Sequence, residues 1–227
     1  MRLAPAILLW IYLTAFPCRA WSQETAGNDN PSSTESLGVP MTIGLAPTGH
    51  YVGFGWGVHA DAGYNFNRHH AILGEFNWNW LFPTDQSLRP IQLALQTNQV
   101  NGHGNLFALT SEYRFELRGK TLGTYLIAGG GFYYRSAGLH KPVPQGTPVG
   151  CTPVWVWWGY DCSTDPVISN STVLHSTSMA PGVNGGIGFT FRVGEAPYRM
   201  YVESRYHFAP TKNITTQLIM VTWGVRY

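Results

Sequence analysis

The sequence predicts an all-β chain folded as an eight-stranded antiparallel up-and-down transmembrane β-barrel. Three observations lead there. From Val39 onward, apolar and small or polar residues alternate with period two, in runs separated by turn residues. Charged residues are only 11% of the 227, against about 25% in ordinary soluble domains, while aromatics reach 14%. After the first twenty residues, no apolar run reaches the roughly 18 residues of a spanning helix.

Residues 1–20 read as a signal peptide. Arg2 supplies the basic start, Ala4 to Phe16 the apolar stretch, and Cys18 and Ala20 the small residues before a cut after Ala20. The run is too short for a membrane anchor. Residues 21–38 are rich in Asn, Ser, Thr and Glu and read as a flexible periplasmic lead-in. Residues 39–227 are the expected barrel. Removing the signal takes away Arg2 and Arg19 and no acid, which leaves 12 basic and 12 acidic residues. No basic cluster or stripe exists to bind nucleic acid. Cys151 and Cys162 remain as an even pair, which in a secreted chain reads as a disulfide rather than half of a metal site. Nothing calls for a cofactor.

The strands follow in order. Val39, Met41, Ile43 and Leu45 alternate with Pro40, Thr42 and Gly44. In the second run Val52, Phe54, Trp56, Val58, Ala60, Ala62, Tyr64 and Phe66 share one face, opposite glycines, His59 and Asp61. The third sets Ile72, Gly74, Phe76, Trp78, Trp80 and Phe82 against Leu73, Glu75, Asn77 and Asn79. The fourth, Leu106 to Leu117, sets Phe107, Leu109, Tyr113, Phe115 and Leu117 against Thr110, Glu112, Arg114 and Glu116. The fifth, Leu122 to Arg135, is apolar on both faces, and its inward face is ambiguous. A bulge at Gly129-Gly130-Gly131 would account for the slip in phase. Met179 to Val193, Arg199 to Phe208 and Asn213 to Tyr227 complete the eight. Short turns at Phe66–His70, Arg118–Thr121 and Gly194–Pro197 alternate with longer connections. That asymmetry is expected of periplasmic turns and outer loops.

A soluble lipocalin-like barrel also alternates, with its apolar face inward. Here the large aromatics share their face with almost no charge, while the opposite face carries glycines and the strand carboxylates. The aromatic face is therefore the one that meets lipid. The last strand fits this: Val221, Trp223, Val225 and Tyr227 fall on one side of Thr222, Gly224 and Arg226, and a final aromatic suits the interfacial girdle. Trp223, Val225 and Tyr227 present the outward pattern that resembles the signal read by the barrel-assembly machinery.

Gly63-Tyr64-Asn65-Phe66-Asn67-Arg68-His69, leading into Gly74-Glu75-Phe76-Asn77-Trp78, resembles the strand–turn–strand of bacterial outer-membrane β-barrel-domain proteins of the OmpA-like type. Gly185-Gly186-Ile187-Gly188-Phe189 and Glu203-Ser204-Arg205-Tyr206-His207 are similar to that family's later strands. The resemblance covers roughly residues 39–227. It implies an eight-stranded monomeric barrel in the bacterial outer membrane, in contact with its lipid, and is compatible with structural, adhesive or small-pore roles. The long third outer loop departs from the family pattern.

Of the inward charges, Asp61, Glu75, Glu112, Arg114, Glu203 and Arg205 lie nearest mid-height. They are expected to form an ionic network that plugs the lumen, because isolated buried ions cost several kcal/mol and eight strands enclose only enough room for side chains. A small-solute pore is the alternative. A lipid-modifying enzyme is a third reading, with His207 as the best candidate base. The position two residues on is Ala209 where the deacylase pattern has Ser, and the side chains of adjacent His175 and Ser176 face opposite ways. The expectation is no enzyme. In the third outer loop, Trp155, Trp157, Trp158 and Tyr160 lie between the cysteines. They are a candidate surface for an extracellular glycan or protein, or else a cap on the barrel rim.

Overall fold

The structure, a computed structural model, describes residues 31–46, 51–94, 100–140, 150–155, 159–163, 173–210 and 215–227. The expected signal peptide and most of the lead-in lie outside these residues. Among the described residues lie ten strands and one helix: β1 (Ser32–Leu45), β2 (Tyr51–Asn65), β3 (His70–Pro83), α1 (Asp85–Ala94), β4 (Asn101–Arg118), β5 (Leu122–His140), β6 (Gly150–Trp155), β7 (Gly159–Ser163), β8 (Val173–Arg192), β9 (Arg199–Pro210) and β10 (Thr215–Arg226). Eight of the strands close a barrel in the order β1-β10-β9-β8-β5-β4-β3-β2, with every neighbouring pair antiparallel. The two short strands β6 and β7 form a separate hairpin inside the third outer loop. Closure runs from Ser36↔Arg226 to Leu45↔Gln217, and Tyr227 N donates to Glu35 O at 2.9 Å. Every ladder is thus satisfied within the chain, which is what a bilayer demands of a spanning sheet.

Three tight turns mark one end. Asn67 Oδ1 accepts from the backbone N–H groups of His69 at 2.8 Å and His70 at 3.0 Å, an Asx turn that explains the asparagine. Gly119 N donates to Leu122 O at 2.9 Å. Gly194 takes φ +60°, where a side chain would strain the backbone.

Large apolar side chains stand on the outside. Phe54, Trp56, Val58, Ile72, Phe76, Leu109, Phe132, Val183, Ile187 and Val202 are all exposed. Two aromatic belts bound this band. The upper one runs across four strands through Trp56–Trp80 (ring centroids 4.9 Å), Trp78–Phe107 (5.8 Å) and Phe107–Tyr134 (6.2 Å). The lower one holds Tyr64–Phe66 (5.8 Å) and Tyr198–Tyr227 (6.1 Å). From Trp56 to Tyr64 the strand rises roughly 27 Å at about 3.4 Å per residue. At a tilt of roughly 40° that is about 20 Å of height, close to the ~25 Å apolar band of an outer-membrane barrel. No helix among the described residues is long and apolar enough to cross a membrane. The strands do the crossing, and the chain is an outer-membrane barrel.

Several elements differ from the sequence expectation. β1 begins at Ser32 rather than Val39, with Thr34 and Ser36 buried on its lumen side. Below the lower belt the exterior is no longer apolar, so alternation in hydrophobicity fades while the ladder continues. β5 has no bulge: its register with β4 and β8 runs unbroken through Gly129, Gly130 and Gly131. Its lumen face carries Tyr125, Ile127, Tyr133, Arg135, Ala137 and Leu139. A Cβ on Gly129 would meet the Glu112 carboxylate, and one on Gly131 the Leu109 carbonyl. Those two glycines permit close approach rather than a kink. The irregularity lies instead between β1 and β2, where Gly44 pairs Gly53 and Leu45 pairs Tyr51. Val52 is the extra residue. It is buried rather than outward, and its carbonyl accepts from Thr84 N at 3.1 Å and Ser87 Oγ at 2.9 Å.

Those bonds seat α1, which lies in the longer connection between the third and fourth strand runs. Thr84 caps the helix: its Oγ1 accepts from Ser87 N at 3.2 Å. Leu88 and Ile91, one turn apart, turn inward into an apolar cluster with Val52, Leu81, Val100, Leu106, Ala137, Leu139, Leu218 and Met220. The outer part of the lumen is therefore apolar, and polarity inverts along the barrel. β4, β5 and β8 are 18, 19 and 20 residues long, against the roughly 9–11 a bilayer needs. Above Tyr134 their outer faces turn polar, with His103, Asn105, Ser136, His175 and Thr177. Above the membrane the same wall packs as a soluble barrel does.

Candidate functional site

At mid-height the lumen is polar, and one arginine organises it. β9 carries Arg205, whose Nε donates to Glu203 and Nη1 to Glu75, and Nη1 lies 3.8 Å from Glu112 Oε1. The arginine's side chain is 3% exposed and those of Glu75 and Glu112 are 0% exposed. Three carboxylates from β3, β4 and β9 thus share one guanidinium. Hydrogen bonds extend the group on both sides. Asn77 Nδ2 donates to Glu75 Oε1, and His59 Nδ1 lies 3.0 Å from Asn77 Oδ1. His59 Nε2 lies 3.2 Å from Asp61 Oδ2, which also accepts from Ser36 Oγ. On the other side Asn184 Nδ2 donates to Glu112 Oε1 at 2.6 Å and to Tyr133 OH at 3.2 Å. Tyr133 OH lies 3.0 Å from His207 Nδ1. Tyr125 OH donates to Glu203 Oε2 at 2.8 Å.

Five of the six expected network residues lie in this connected group: Asp61, Glu75, Glu112, Glu203 and Arg205. Arg114 does not. It sits nearer the turns, with Nη2 donating to Asn65 Oδ1 at 3.0 Å and Nε 3.6 Å from Glu116 Oε2. Glu116 also accepts two bonds from Arg118, both at 3.1 Å, and lies 3.9 Å from Arg226 Nη1. The Arg226 guanidinium stacks over Tyr125 at 4.7 Å and Tyr201 at 5.0 Å. One group has three carboxylates around one arginine, the other three arginines around one carboxylate. The opposite imbalances lie on one barrel axis.

His59, Asn77, Asn184, Tyr125 and Tyr133 complete the network and were missed as members. Their signal is in the sequence in part: His59, Asn77 and Asn184 sit at lumen-facing alternation positions, where an uncharged side chain carries no mark of network membership. His207 is buried beside Tyr133 rather than standing at the membrane surface. His175 pairs across the strands with Ser136, Nε2 to Oγ 3.0 Å. Among the described side chains, no group of three or more His, Cys, Asp or Glu could hold a metal.

The outer and terminal candidates are placed as follows. In the β6–β7 hairpin the backbone register sets Cys151 opposite Cys162, Pro153 opposite Tyr160 and Trp155 opposite Gly159. Trp157 and Trp158 lie outside the described residues. Trp223 and Tyr227 stand exposed on the lipid face of the closing strand, with Val225 half-buried between them.

No protein-family profile matches the chain, and no curated protein matches it. Among solved structures, the chain is similar to Ail, the attachment invasion locus protein of Yersinia pestis, at 12% identity and a TM-score of 0.49, over 88% of this chain and 100% of that one. It is similar to Neisserial surface protein A at 12% identity and 0.47, over 87% and 97%. It is also similar to the N-terminal β-barrel domain of Pseudomonas aeruginosa OprF at 14% identity and 0.40, over 86% and 97%.

Proposed function

We propose that this outer-membrane barrel is a non-conducting scaffold with a structural or surface-interaction role. The Arg205 network plugs its lumen. A Cys151–Cys162 disulfide closes its long third outer loop, and that loop is offered to an extracellular glycan or protein. The observation that carries the reading is the filled lumen. A guanidinium shared by Glu75, Glu112 and Glu203 lies beneath an apolar layer that α1 closes with Leu88 and Ile91. A hydrated ion would have to break both. Trp223, Val225 and Tyr227 serve assembly, and the aromatic belts contact outer-membrane lipid. The chain acts as a monomer and performs no catalysis. Recording from the purified barrel in a planar bilayer tests the plug. The expected result is no steady current, and a steady single-channel conductance in the wild-type protein would overturn it.

A further inference from the structure

We infer a binding site for a small inorganic anion at the turn end of the lumen, formed by Arg114 on β4, Tyr201 on β9 and Arg226 on β10. Charge at that end is out of balance. By strand parity Arg114, Arg118, Arg192, Arg199 and Arg226 face the lumen there. Arg118 and Arg192 are half-buried, so water screens part of their charge. Arg114, Arg199 and Arg226 are buried. The carboxylates that act on Arg114 and Arg226 are already engaged. Asp61 is held by His59 and Ser36, and Glu203 by Arg205 and Tyr125. Glu116 is occupied by Arg118, which gives it two bonds at 3.1 Å, and by Thr190 Oγ1 at 3.3 Å.

The donors themselves point to a ligand. Arg114 Nε and Arg226 Nη1 lie 3.6 and 3.9 Å from one atom, Glu116 Oε2, so two guanidiniums flank that oxygen without closing a hydrogen bond to it. Tyr201 lies beneath the Arg226 guanidinium, with its ring centroid 5.0 Å away, which places the phenol with the two cations. Arg114 Nη1, Arg226 Nε, Arg226 Nη1 and Tyr201 OH are buried and meet no acceptor among the described residues. Buried donors without an acceptor are costly, and native proteins meet them with ordered water or an ion. Water would accept from these donors and leave the positive charge uncompensated. A small anion accepts from them and neutralises it as well. Chloride and a phosphate oxygen share that chemistry, negative and acceptor-only. The apolar layer at α1 closes the outer end of the lumen, while Arg118 at the turn end is 24% exposed, so the ion enters from the periplasm. One ion there ties β4 to β9 and β10, whether or not the barrel conducts.

The test follows urea unfolding of the untagged mature protein in lipid vesicles at a fixed ionic strength of about 0.2 M, which holds screening constant. Gluconate, too bulky for the lumen, is exchanged stepwise for chloride and, in a second series, for phosphate. An ion that binds only the folded barrel raises its stability saturably. The expected result is such a rise, and the series that saturates at the lower concentration identifies the ion. Arg226→Gln should abolish it. Tyr201→Phe, which removes one hydroxyl and no charge, should raise the half-saturating concentration more than about fivefold. Arg68→Gln, exposed in a turn, should leave the response unchanged. Heat-modifiable gel mobility shows that each variant is folded, and Tyr201→Phe decides if Arg226→Gln does not assemble. No anion-specific rise in the wild-type protein, or the same half-saturating concentration in Tyr201→Phe, would overturn the site.

Discussion

Replacing Arg205 by methionine keeps most of the side-chain stem and removes the guanidinium. Glu75 and Glu203 then lose a direct charged hydrogen bond each, and Glu112 loses a cation 3.8 Å away. All three stay within the lumen. Removing one partner of a buried ion pair costs about 3–5 kcal/mol, because the other charge is stranded. At about 1.4 kcal/mol per tenfold, the folding equilibrium moves by two to four orders of magnitude. Arg114→Met should cost less, since Glu116 keeps both bonds from Arg118. Adding Glu75→Gln and Glu203→Gln to Arg205→Met should restore much of the loss, because neutral amides need no counter-charge. Urea unfolding from lipid vesicles, followed by tryptophan fluorescence, measures all four proteins. If Arg205→Met unfolds within about 0.5 kcal/mol of wild type, or costs no more than Arg114→Met, the network does not hold the barrel.

Two further expectations concern the closing strand and the loop. Deleting Tyr227 should lower the amount of assembled, heat-modifiable protein more than Arg226→Lys does. Arg226→Lys should instead lower the stability of the assembled barrel by about 1 kcal/mol, since an ammonium cannot stack on both Tyr125 and Tyr201; equal assembly of all three proteins would argue against this. Cys151→Ser with Cys162→Ser should leave the gel shift unchanged and make residues 141–172 protease-sensitive on intact cells. Closing a loop of about 15 residues is worth roughly 3 kcal/mol, and the barrel has its own closed ladder; thiols that label fully in the untreated protein would show that no disulfide exists.

The strands were legible where lipid writes the pattern. Between the two belts each outward position must be apolar and each inward one small or polar, so β2, β3, β4 and β9 could be phased from sequence. The signal fails outside that band. Ser32–Gly38 lies below it, and Asn101–Asn105 and Ser136–His140 lie above it, where the outer face is polar. β5 is ambiguous because a lumen can hold Ile127, and also Tyr125 and Tyr133 when their hydroxyls find Glu203, Asn184 and His207. α1 was hidden by Pro90 within it, although Thr84 as cap and Leu88 with Ile91 one turn apart mark a helix. The six lumen charges follow from parity together with counting along each strand. Parity assigns a face and counting a position along one strand, whereas height also depends on stagger around the barrel, which is why Arg114 lies nearer the turns beside Asn65 and Glu116.

The most direct test of the account is where the mature protein resides and how it migrates. Membranes separated by density, with electrophoresis of heated and unheated samples, answer both. The account predicts a protein beginning near Trp21, in the outer-membrane fraction, whose mobility changes on boiling as the closed barrel opens. Recovery from the soluble periplasm, with the same mobility before and after heating, would contradict a membrane-spanning barrel.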